Sequence, residues 1–142
     1  MKTLQTYMVE ALKRSVPIRW NHSNNYTHDQ SHGEFEVGGE TYVLTTSYEY
    51  QKDMMTISFA LIGDRGQDMS ITGTGSELTV LGTVLAGVRE VLHDHQPMYL
   101  YFEAADNEPS RKKLYERLTR RFAGDIGYAY SFSNGNFLLT RR

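Results

Sequence analysis

The chain has 142 residues, no cysteine, and 15 Lys+Arg against 17 Asp+Glu, for a net charge of −2. That length suits one domain burying about two thirds of the surface its unfolded form exposes, and the missing cysteine excludes disulfides and thiolate metal sites, as expected of a cytoplasmic protein. No apolar run reaches the ~18 residues of a membrane span, and Gln5, Glu10, Lys13 and Arg14 interrupt the start of the chain where a signal peptide would be apolar.

In chain order, Leu4, Tyr7, Met8, Ala11 and Leu12 recur at spacings of three and four, which predicts a short amphipathic helix ended by Pro17. The stretch "NHSNNYTHDQSHGE" is polar and without periodicity, so a long exposed loop is expected through residue 33. A β meander over 34–62 follows: Gly38-Gly39 separates two runs rich in Val, Tyr, Thr and Phe, the pattern of a tight hairpin, and "MMTISFALIG" adds a third strand. The turn-forming "GDRGQD" ends it.

From residue 74 to 95 the period changes. Leu78, Leu81, Leu85, Val88 and Leu92 form one stripe, widened by Val80, Val84 and Val91, which predicts a largely buried helix. Gly82 and Gly87 each cost up to ~1 kcal/mol inside a helix, so a close approach of another group is expected there. "MYLYFEAA" predicts a strand over 98–105. Asn107 can cap a helix over 107–122 with Pro109 in its first turn and Leu114, Leu118 and Phe122 facing inward. A hairpin over 127–140, turning at Asn134-Gly135, closes the chain. The predicted class is α+β in a single domain.

Charge is unevenly placed. Residues 1–107 hold 7 Lys+Arg and 14 Asp+Glu, whereas residues 108–142 hold 8 and 3. A basic final quarter suits an anionic partner, and it equally suits a solvated helix face.

The order of elements, together with "MYLYFEAADNEPSRKKLYERLTRRF", resembles the second two thirds of the GNAT superfamily of acetyltransferases over about residues 40–142. Asn107 and Leu114-Tyr115 fall where that family carries Asn and Leu-Tyr. The resemblance implies a twisted, mostly antiparallel mixed sheet with helices on both faces, and an acyl-coenzyme A dependent N-acyltransferase acting on an acceptor amine with acetyl-CoA as cofactor. It implies that Gly73, Thr74, Gly75 and Ser76, at a helix N-terminus, hold the pyrophosphate, where unpaired N–H groups and the helix dipole favour an anion. Asn107 and Arg111 would attend the cofactor, and Tyr115 would protonate the departing thiolate, since a phenol of pKa ~10 carries its proton at neutral pH. The chain departs from the family at Ser70, where Gln or Arg is usual. A Tyr115 ring packed beside Leu118 accounts for the same residue without catalysis. The chain is also similar to small proteins of tailed bacteriophages that share its "GTG…TV" and "SR.KLY.RL" stretches; the setting this implies is the host cytoplasm, and it brings no activity with it.

Other constellations remain. The general base is open among Glu34, Glu36, Glu49 and Glu103. His22, His28, His32 and Asp29 are close in sequence, yet an unscaffolded loop is a poor metal site, and no metal is expected. His93 and His95 read as helix-end residues. Lys112, Lys113, Arg117 and Arg120 are the candidate surface for a host or phage macromolecule, with the acyltransferase-like domain then catalytically silent. Nucleic acid is a third possibility, through the same helix and Tyr128 and Tyr130; the overall acidity disfavours it.

Overall fold

Alternation of period two builds most of the molecule, whose computed structural model describes residues 15–63, 66–68, 77–93, 95–103, 109–133 and 136–142. Strands β1 (Arg19–Asn24), β2 (His28–Val37), β3 (Glu40–Glu49) and β4 (Met54–Gly63) form an antiparallel meander, and β5 (Gly66–Asp68) folds back on the end of β4. Helix α1 (Glu77–Val91) leads to β6 (Tyr99–Phe102), helix α2 (Pro109–Ile126) follows, and the hairpin β7 (Tyr128–Ser133) and β8 (Asn136–Arg141) closes the sheet. The spatial order is β1-β2-β3-β4-β6-β8-β7. All pairings are antiparallel except β4 with β6. A parallel pair requires a crossover, which α1 supplies. This is an α+β fold.

One face of the sheet is apolar. Phe35, Tyr42, Leu44, Met55, Ile57, Leu100, Phe102, Phe137 and Leu139 are buried, and the register sets Tyr42 opposite Phe35, Leu100 opposite Met55 and Leu139 opposite Leu100, so they share that face. The expected stripe of α1 covers it, with Val80, Leu81, Val84, Leu85, Val88 and Leu92 buried. Gly87 marks the closest approach: a Cβ there would stand 2.7 Å from Leu44 Cδ2 and 2.8 Å from Ile18 Cδ1. From α2, Phe122, Ala123 and Thr119 are buried, Arg120 lies 4.9 Å over the Tyr130 ring, and Arg89 of α1 lies 6.0 Å from the Phe122 ring. Both helices therefore pack on the apolar face. Helices on both faces were expected; among the described residues the other face carries none. The helix expected over residues 3–14 lies outside the described residues.

The Gly38-Gly39 hairpin is as the sequence predicts, with φ of 60° and 81° at the two glycines, both in the region that a two-residue turn of this hand requires. The polar loop expected through residue 33 is instead the β1–β2 hairpin. Its turn is built by Asn25, whose Oδ1 accepts from the Thr27 and His28 amides at 2.9 Å each, and Ser31 and Gly33 continue the buried side of Phe35 and Val37. The run reads as loop because its inward residues are small or polar. The last helix also extends past residue 122 to Ile126, and the segment 66–68, expected as turn, pairs with β4.

Candidate functional site

Parallel strands create two distinct ends. β4 and β6 pair from Met54–Tyr99 to Ile57–Phe102, the Glu103 amide donates to the Ile57 carbonyl at 3.1 Å, and farther along β4 its Leu61, Ile62 and Gly63 pair with β5. Both α1 and α2 begin at this carboxyl end. Crevices outside the carboxyl ends of parallel strands are where such sheets take ligands. Of the sequence-predicted site residues, Gly73, Thr74, Gly75 and Ser76 precede α1 in sequence and Asn107 precedes α2; these five lie outside the described residues. Arg111, Lys112, Lys113 and Tyr115 belong to the first turns of α2 by their backbones, and their side chains lie outside the described part. Of the four candidate bases, Glu103 directly follows β6 and is exposed. Glu34 and Glu36 are exposed beside Arg19 at 3.5 and 4.0 Å, and Glu49 faces His28 and Lys52 at 3.7 and 3.5 Å.

On the exposed ridge of α2, Arg117 is solvated, while Arg120 pairs with Glu116 at 3.2 Å and Arg121 with Asp125 at 3.6 Å. The basic helix is thus partly neutralised within itself.

At the opposite end of the sheet, a cleft of about 360 Å³ opens between the β1–β2 hairpin, the start of β4 and the last turn of α1. Buried Thr83 begins its construction: its hydroxyl donates to the Thr79 carbonyl at 2.7 Å and accepts from the Val16 amide at 3.0 Å, which anchors the chain entering β1 onto α1. Trp20 then lies over Gly33, where an added Cβ would come within 3.0 Å of the indole ring, and its Nε1–H donates to Glu90 at 3.1 Å. Trp20 stacks on His22, whose Nδ1 is 2.7 Å from Ser31 Oγ.

The far wall is a hydrogen-bonded group. Tyr50 donates its hydroxyl to Asp29 Oδ1, and His95 Nε2 lies 2.6 Å from Asp29 Oδ2. The Tyr50 hydrogen bond, reinforced by His95 against a cost of burial, holds the Asp29 carboxyl below its usual range. An ionised carboxylate only accepts, so the proton of this contact sits on His95 Nε2. The imidazole stacks on Tyr48 with centroids 4.5 Å apart. Tyr48 in turn donates to Asp53 at 2.6 Å, and that bond together with burial pushes its hydroxyl up to about 12. The loop carrying His95 is fixed from below: Tyr128 donates to the Pro97 carbonyl at 2.6 Å, and Arg141 to the Gln96 carbonyl at 2.5 Å.

The strand pleat also resolves the histidine cluster. His22 and Asp29 face the cleft, whereas His28 and His32 point to the other side, toward Glu49 and Thr45. Among the described residues no three His, Asp or Glu side chains converge as a metal site requires, and no helix is long and apolar enough to cross a membrane. Sequence reasoning missed Trp20, Glu90, Tyr48, Tyr50 and the Asp29–His95 pair. One signal was present: Asp29, Ser31, Gly33, Phe35 and Val37 are two apart, the period of a strand starting earlier than residue 34. Comparison with family models, curated proteins and solved structures finds no match to this chain.

Proposed function

We propose that the chain is an acyltransferase-like domain that takes acyl-coenzyme A at the carboxyl end of β4 and β6 and transfers the acyl group to an amine. One observation carries the reading: among the described strands the single parallel pair, β4 with β6, is joined by a crossover helix, so helix N-termini lie toward its carboxyl end. The N-termini of α1 and α2 stand at that end with their dipoles favouring phosphate. The element order, meander, helix, strand, helix and closing hairpin, also supports it. In this reading Gly73 to Ser76 hold the pyrophosphate, Asn107 and Arg111 attend the cofactor, Glu103 receives the amine proton directly or through water, and Tyr115 protonates the thiolate. The self-paired Arg120 and Arg121 give less support to a partner surface on α2 made of Lys112, Lys113, Arg117 and Arg120.

Thermal unfolding with millimolar acetyl-CoA or CoA tests the reading. A ligand at 100 times its dissociation constant adds about 2.7 kcal/mol, a rise of several degrees for this size. The expected result is such a rise, retained in Tyr115→Phe while turnover of that variant falls, because only the proton donor is lost. No rise with either ligand rejects the cofactor site and leaves the fold as a binding module.

A further inference from the structure

We propose that the cleft bounded by Trp20, Asp29, Tyr48, Glu90 and His95 binds a small organic ammonium ion, a charged amine on a short apolar stem. The cleft lies at the amino ends of β4 and β6, at the other end of their four-residue parallel pairing from the carboxyl side, roughly 10 Å of strand away. Its lining shares no residue with those assigned to acyl transfer, so the proposal does not rest on that reading.

Charge selects the ligand's sign. The lining includes the carboxylates of Asp29 and Glu90 and contains neither Lys nor Arg, so an anion is repelled and a cation is drawn in. Asp29 is fixed in its ionised form by Tyr50 and His95 before any ligand arrives, and Glu90 uses one oxygen for the Trp20 indole while the other has no partner among the described residues. Preorganised acceptors of this kind cost little to bind against.

The walls select the ligand's body. Stacking on His22 and His95 locks the Trp20 and Tyr48 rings in place, and the ring surface they present to the cleft attracts an ammonium group through its electrons. Met55 and Val91 supply apolar surface for a stem. A volume near 360 Å³ is at the small end of ligand sites. A bare metal ion is a poor fit, because no three ligating side chains converge among the described residues.

Trp20 is the chain's one tryptophan, so its emission reports on this cleft without a label. The experiment titrates the full chain with n-butylammonium chloride, using sodium chloride at equal ionic strength and n-butanol as the uncharged control. A saturable change with a millimolar midpoint, absent in both controls and weakened at least about fivefold in Glu90→Gln and in Asp29→Asn, is the expected result. Glu90→Gln is exposed and retains an acceptor for the indole, so it carries the test alone if far-ultraviolet circular dichroism shows Asp29→Asn unfolded. A response no different from sodium chloride, one matched by n-butanol, or one of equal strength in the folded variants overturns the proposal.

Discussion

Asp29 accepts from Tyr50 and His95 at once, and through them it joins the start of β2, the end of β3 and the loop before β6. Its carboxyl is held low first by the Tyr50 hydrogen bond and then by His95. The unfolded chain therefore binds the Asp29 proton more readily than the folded one. Stability from this group is complete above the ordinary Asp value of ~3.9 and is lost as pH falls through the lower folded value. Replacing Asp29 with Asn removes the charge and one acceptor, costing on the order of 1 kcal/mol at pH 7. The midpoint temperature should drop by about 3 °C, and the gap from wild type should narrow below pH 4; calorimetric scans from pH 2 to 7 check both.

Among the elements, the β1–β2 hairpin depends most on a few contacts, since all its β1 residues but Trp20 are exposed and β1 is an outer strand of the sheet. The Asn25 side chain holds its turn by accepting three times, from the Thr27 and His28 amides and the Thr27 hydroxyl. Asn25→Ala should cost about 1 kcal/mol by the loss of that local scaffold. Hydrogen exchange should then quicken over residues 21–31 and leave α1 unchanged, because fraying of an outer hairpin does not open the core. Elements with strong periodicity were legible beforehand: the α1 stripe and the Gly38-Gly39 hairpin lie where spacing puts them, and the basic helix, expected over 107–122, is described over Pro109–Ile126. The β1–β2 hairpin was not, because Ser31 and Gly33 occupy its buried positions and a strand with such inward residues has no apolar alternation to show. Gly33 has no room for a side chain because a Cβ there would stand 2.4 Å from Ile18 Cγ2 and 3.0 Å from the Trp20 ring, contacts across fifteen and thirteen residues that no local pattern records.

For the whole molecule, alkaline pH tests how the two ends of the sheet are closed. Tyr48 is raised to about 12 by its bond to Asp53 and by burial, Tyr130 to about 12 by burial and the nearby Glu116, and Tyr50 and Tyr128 shift the same way. A phenol raised in the folded state keeps its proton while the unfolded chain loses it. The stability it contributes is full below pH ~10 and is lost as pH rises toward 12. Tyr48→Phe should therefore lower stability at pH 7 by about 1 kcal/mol and flatten the decline between pH 10 and 12. Midpoint temperatures of the two proteins from pH 7 to 12 measure this, and an unchanged slope rejects the Tyr48–Asp53 bond as its source.

The sequence by itself determined the α+β class, the long buried helix, the basic α2 and the tight Gly38-Gly39 turn, because periodicity, Gly, Pro and charge act over a few neighbouring residues. Only the tertiary structure decided which strands are neighbours, that β4 and β6 run parallel, and that both described helices share one face. It alone brought His95 to Asp29 across 66 positions and Trp20 to Glu90 across 70. Those contacts arise where the crossover helix returns its end to the meander, and that closure depends on the summed packing of the apolar face rather than on any stretch of chain.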